Sequence, residues 1–147
     1  MSAAESDDAS LQFLAAIDAT FCTYKDLAER AVAQVPDAAL HVALDANTNS
    51  IAVIMKHVSG NLRSRWTEFR TTDGEKPWRA RDEEFVDDLA SRAAILADWE
   101  SGWQCVLGAI RSLKVEDLSL ILAIRGEPHT VARALERSLA HTAYHVG

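Results

Sequence analysis

Apolar residues recur at alternating steps of three and four in four stretches of the chain, and each stretch predicts an α-helix with one buried stripe. The first carries Leu14, Ile17, Phe21, Tyr24, Ala28, Ala31 and Val35. Asp7, Asp8 and Ser10 suit its positive N-terminal end, and Pro36 disfavours helical geometry at Val35 and closes it. From Pro36 to Asn47 the chain reads as a connection. The second helix begins near Asn47 to Ser50, residues that cap well, and aligns Ile51, Met55, Val58, Leu62, Trp66 and Phe69 on one face. Gly60 costs this helix about 1 kcal/mol relative to Ala, which a neighbouring helix approaching closely there would offset. After Arg70 the stretch TTDGEKPWRARD breaks the pattern with the turn signals Asp73-Gly74 and Lys76-Pro77, and is read as a loop.

The third helix is expected to follow Asp82 as its cap and to be the longest element, with Phe85, Leu89, Ala93, Leu96, Trp99, Trp103, Val106, Ile110 and Leu113 at helical spacing. Trp99 and Trp103, one turn apart on that stripe, read as core packing rather than a ligand platform. The apolar run Leu120 to Ile124 is too short for a helix and predicts a single extended segment ending at Arg125-Gly126. Thr130 caps the fourth helix, whose core face carries Val131, Leu135, Ser138 and Thr142, with Ala134, His141 and His145 along one edge. Four such patterns without a series of strands predict one all-α domain over residues 1–147, built as a helix bundle.

Composition narrows the function classes. In 147 residues, 48% hydrophobic content is enough for one full core. The 15 Lys and Arg against 22 Asp and Glu leave a charge of −7, which repels a phosphate backbone and argues against nucleic acid as a partner. No apolar run reaches the ~18 residues of a membrane span, and MSAAESDDAS lacks the basic and apolar regions of a signal peptide, so a cytoplasmic protein with no membrane partner is expected. Cys22 and Cys105 are far apart and outside any CxxC spacing, and read as reduced, mostly buried thiols.

The sharpest chemical signal is the pair His141 and His145. In a helix their directions differ by about 40°, so both imidazoles reach one point, and imidazole suits zinc, nickel, iron or copper. Such a pair alone leaves two readings open, a metal site or two half-buried histidines satisfied by their neighbours. A third ligand must come from another helix. His57 is the only histidine within helix two, on an edge shared with Ser50, Asn61 and Ser64 from which it can face an inter-helix cleft. His41 and His129 fall in connections and are read as non-ligands. Ser138 lies one turn before His141, but no GxSxG elbow or oriented triad accompanies it. There is no Gly-rich phosphate loop and no HExxH. Arg79, Arg81, Arg125, Arg133 and Arg137 are dispersed and read as solvated surface or ordinary ion pairs.

The segments NSIAVIMKHVSGNLRSRWTEF, TTDGEKPWRARDEEF and IRGEPHTVARALERSLAHTAYHVG, in that order, resemble the DinB-like superfamily and in particular a small bacterial branch of it. The resemblance covers most of residues 10 to 147. It implies an up-down four-helix bundle in which one histidine of the second helix and two of an HxxxH on the fourth hold a divalent cation. The matching positions are His57, His141 and His145, with Zn, Ni, Fe or Mn as the cation. Relatives include thiol-dependent transferases and an isomerase, which implies a metal-dependent enzyme taking a small-molecule substrate and a low-molecular-weight thiol held as thiolate. A homodimer is expected from the resemblance and from Ala52 and Val53, which lie off the main stripe of helix two. A non-catalytic, stress-linked dimeric bundle is the alternative from a different class. Relatives continue beyond HVG, whereas His145 here lies two residues before Gly147, where fraying is expected to weaken it as a ligand.

Overall fold

The structure, a computed structural model, describes residues 3–147. Four helices, α1 (Ala3–Ala33), α2 (Ile51–Trp66), α3 (Arg92–Ser112) and α4 (Val131–Val146), are joined by loops, three short 3₁₀ turns and one antiparallel hairpin, β1 (Ile121–Ile124) with β2 (Glu127–Thr130). The helices α1 and α2 each pack against both α3 and α4. Their apolar stripes meet in one core around Phe21, Val58, Leu62, Trp103, Val106 and Leu135, all fully buried. Trp99 and Trp103 belong to it, as their spacing indicates, and Phe21 meets Trp103 edge-on at 5.9 Å between ring centroids. No helix among the described residues is long and apolar enough to cross a membrane.

The caps follow the sequence closely. Ser50 accepts from the Val53 N–H to open α2, and Thr130 accepts from the Arg133 N–H to open α4. Helix α1 is the longest element at 31 residues, against 21 for α3, which corrects the expected order. No Gly or Pro interrupts residues 3–13, and Gln12 donates to Asp8 one turn earlier, so the helix persists well before its apolar stripe begins.

Helix α3 is capped nine residues later than Asp82, by Ser91, which accepts from the Ala94 N–H. Asp82–Phe85 form only a 3₁₀ turn, and tertiary bonds hold the following residues outside the helix. The Lys56 ammonium donates to the carbonyls of Glu83 and Val86 and to the Asp88 carboxylate, while Asp87 receives the Ser50 hydroxyl and the His41 ring. These bonds favour the extended path taken after Phe85 over a helix continued from Asp82.

Two further expectations change. The close neighbour of Gly60 is not a helix: a Cβ there would collide with the Glu84 carboxylate. The close approach between helices is instead at Gly102, where a Cβ would lie 2.7 Å from the Cα of Ser59 and 2.8 Å from its carbonyl oxygen. The run Leu120 to Ile124 is extended but not single. Ile124 pairs with Glu127 across a two-residue turn in which Arg125 and Gly126 both have positive φ, 55° and 75°. That is the conformation a tight hairpin requires, and the Asp73 carboxylate pins it by accepting from both N–H groups at 2.8 Å. Loop 67–81 is therefore tied down by the hairpin it supports, with the Gly74 N–H donating to the Ala123 carbonyl.

Candidate metal centre

Helix α2 runs from a serine cap through a stripe that faces α3, which leaves its opposite flank, with His57, Asn61 and Ser64, directed toward α4 and the loop before α3. All three are buried. Helix α4 presents His141 and His145 from successive turns, and its amphipathic pattern turns them toward His57. One nitrogen from each of the three rings lies within 4.8 Å of the others. The rings meet nearly edge to face, with centroids 5.1 Å apart for His57 and His141, 4.8 Å for His57 and His145 and 4.6 Å for the α4 pair.

The sequence-predicted trio is thus brought together, and the other two histidines lie elsewhere. His41 contacts Asp87, and His129 sits on β2 against the Glu127 carbonyl and the Arg137 guanidinium. His145 is half-buried inside the last turn of α4, where the Gly147 N–H donates to the Ala143 carbonyl, and its ring stands within the cluster.

Tautomers follow from the partners. His57 Nδ1 lies 3.0 Å from Glu84 Oε1, and Glu84 is itself buried. Burial pushes that carboxyl up, but hydrogen bonds from Arg79 and His57 outweigh it and hold it below the ordinary carboxylate range. An ionised carboxylate only accepts, so Nδ1 donates to Glu84 and Nε2 is the His57 nitrogen turned to the cluster. The Arg79 side chain is only 2% exposed and grips Glu84 with two nitrogens, at 2.9 and 2.8 Å. It is a buried ion-pair partner rather than a solvated surface residue. Burial first, then the neighbouring His145 and His57, push His141 down to about 4, and burial likewise lowers His145. Both imidazoles are neutral at pH 7 and available as donors.

A small divalent cation fits this donor set. The Nε2 atoms of His57 and His141 are 3.1 Å apart. Two nitrogens each bound at about 2.0–2.1 Å to one zinc ion lie roughly 3–3.5 Å apart, and carboxylate-backed imidazole is the usual arrangement around such ions. His141 Nδ1 is buried with no hydrogen-bond partner among the described residues, so this ring, unlike His57, is not fixed from behind.

Cavities open on both sides of the cluster. One, about 100 Å³, is bounded by α2, α4 and β1 and has His141 in its wall. The other, about 360 Å³, is lined mainly by apolar groups such as Ile54, Met55 and Trp99 together with His145. Ser138 faces the first cavity and accepts from the Trp66 indole N–H at 3.0 Å, which ties α4 to α2. Cys22 and Cys105 are free, half-buried thiols away from the cluster.

Sequence reasoning missed Glu84 and Arg79. Neither lies on a periodic stripe, and the only local trace of their pairing is a spacing of five residues in a loop. The remaining arginines largely behave as ordinary ion pairs, Arg133 with Glu136 and Arg125 with Glu75.

These observations define a mostly helical protein with a buried cluster of three histidines backed by a carboxylate. The chain belongs to a family described as protein of unknown function (DUF1572), which matches residues 8–147. No curated protein and no solved structure matched it.

Proposed function

We propose that this protein is a metal-dependent enzyme of the DinB-like class, an up-down four-helix bundle in which His57, His141 and His145 hold one divalent transition metal, Zn, Ni, Fe or Mn. The observation that carries the reading is the convergence of three imidazole nitrogens within 4.8 Å, one of them oriented by a buried carboxylate. Such an ion supplies Lewis acidity, lowering the pKa of a thiol or water at neutral pH. The chain's own residues supply the rest. Glu84 keeps the proton on the far nitrogen of His57, Arg79 keeps Glu84 charged, and the hairpin and Trp66 restrict water on the His141 side. The two cavities give a small-molecule substrate and a low-molecular-weight thiol separate approaches, which supports a thiol-dependent transferase over a non-catalytic bundle that would use neither.

A cytoplasmic homodimer belongs to the same reading and rests on the family resemblance. Ala52 and Val53 no longer argue for it, because both are buried within the chain. Sedimentation showing only monomer at tens of micromolar, in the range of ordinary specific affinities, would remove the dimer.

The metal reading is tested by calorimetric titration of Zn(II) and Ni(II) into the wild type and five alanine variants. His57→Ala, His141→Ala and His145→Ala each lower affinity by more than 100-fold, while His41→Ala and His129→Ala leave it unchanged. Equal losses in all five would mean diffuse surface chelation and would end the enzyme proposal.

A further inference from the structure

The cavity on the His141 side carries more polar capacity than the fold uses. Asn61 is 8% exposed, its carboxamide borders the cavity, and it has no hydrogen-bond partner among the described residues. The polar atoms of that amide are open to the cavity, so it is free to bond a molecule that enters there. Ser138 accepts from Trp66 but donates its own proton to no described residue, leaving a free O–H in the same wall. Arg137, largely exposed, stands in the wall as well, and among the described residues its partner is a ring nitrogen of His129 rather than a carboxylate.

The charge balance points the same way. Arg65 and Arg137 line the cavity and no Asp or Glu does, although the chain as a whole carries −7. Glu75, the nearest counter-charge, is shared among Arg65, Arg79 and Arg125. Leu122 and Ile124 of β1 and Ala134 of α4 add apolar lining. Donors and positive charge beside hydrocarbon suit a short ligand with an anionic, acceptor-only head and a small apolar body.

We infer that this cavity is a subsite for the carboxylate end of a small aliphatic acid, held by Asn61, Ser138 and Arg137 so that the rest of the molecule lies against His141. The inference deepens the metal-enzyme proposal by naming the substrate class, and the geometry of the pocket carries it whether or not an ion is bound. An aliphatic acid is preferred over inorganic phosphate, which has no hydrocarbon to set against Leu122, Ile124 and Ala134.

The test uses propionate, its neutral isostere propionamide and inorganic phosphate, titrated by NMR against both metal-free and Zn-treated full-length chain, with the Asn61 side-chain amide and the Trp66 indole as reporters. Propionate is expected to shift both signals saturably and to bind at least 10-fold tighter than propionamide or phosphate. Arg137→Gln and Asn61→Leu each weaken propionate at least 10-fold, while Zn affinity stays within about twofold of wild type. His145→Ala, which removes an ion ligand without touching the cavity wall, leaves propionate binding intact. The inference is overturned if propionate and propionamide bind alike, if Arg137→Gln has no effect, or if His145→Ala abolishes propionate binding, which would make the acid a metal ligand only. Failure of Zn to bind anywhere removes the enzyme proposal alone, since propionate is read on the metal-free chain as well.

Discussion

Helix α2 has two sides that are built on opposite principles. Toward α3 it is close and largely apolar, with Arg63 pairing with Asp98 at one edge. Gly102 lets the backbones meet at Ser59, whose hydroxyl donates to the Asp98 carbonyl, and Val58, Leu62, Trp99 and Trp103 fill the space around that contact. Toward α4 and the loop before α3 it is polar and incompletely filled, with His57, Asn61 and Ser64 buried beside Glu84, Arg79 and a cavity. The first side stabilises the fold through area and packing, at about 25 cal/mol per Å² of apolar surface buried. The second holds polar groups out of water, each of which is costly unless bonded, so that three ring nitrogens face one point. Rigidity on one side supports an arrangement on the other that the sequence would not choose for stability alone.

The same substitution on the two sides separates these roles most sharply. Gly102→Ala places a Cβ against the backbone of Ser59, which cannot move aside without parting the helices. It is expected to cost about 2–3 kcal/mol in denaturant unfolding, despite the better helix propensity of Ala. Gly60→Ala meets only the end of the Glu84 side chain, so it costs less stability but displaces the group that orients His57. Calorimetry should show weakened metal binding for Gly60→Ala at near-normal unfolding midpoint. If the stability losses were equal, the contrast between the two sides would fail.

Glu84→Gln comes next. It keeps the shape and an acceptor oxygen but removes the charge that holds Arg79 and His57. Metal affinity is expected to fall about 10- to 100-fold, the usual effect of losing a ligand's backing group. Unfolding should report a loss of about 2 kcal/mol, less than for an isolated buried pair because Glu75 still reaches Arg79. Unchanged affinity would reduce Glu84 to a packing residue.

Acid acts on the polar side first. The folded pKa of His141 is about 4, below the 6.5 of a free histidine, so between these values the unfolded chain binds more protons than the folded one. Stability of the metal-free protein is therefore full above about pH 6.5 and is lost as pH falls toward 4. His141→Gln should flatten that part of the pH profile in thermal melts. Metal binding should also persist below the roughly pH 6 expected for free imidazoles, because protons compete less well at His141 and His145.

The smallest effect belongs to the tie between α2 and α4. Trp66→Phe keeps most of the apolar contact and deletes the N–H that Ser138 accepts. About 1 kcal/mol of stability should be lost, with metal affinity unaltered. A large loss of affinity would show that the cavity wall and the metal centre are one mechanical unit.

Sequence alone determined the features that rest on local geometry. The stripes of α1, α2 and α4 and the caps Ser50 and Thr130 follow from helical periodicity and side-chain bonds to the first turn. The convergence of His141 and His145 follows from a spacing of four, and the core role of Trp99 and Trp103 from the same rule. Tertiary structure decided whatever depends on a partner remote in sequence. Lys56 bonds the Glu83 and Val86 carbonyls and the Asp88 carboxylate and so favours an extended path where α3 was expected, and Asp73, far along the chain, fixes the turn that gives β1 a second strand. Glu84 becomes the backing of His57 only because Gly60 leaves it room. Asn61 and Ser138 border one cavity only because α2 and α4 lie side by side there. Periodicity says which face of an element is buried. What that face meets is set by the free energy of the whole fold, and a candidate site made from three elements and a loop is written at that level.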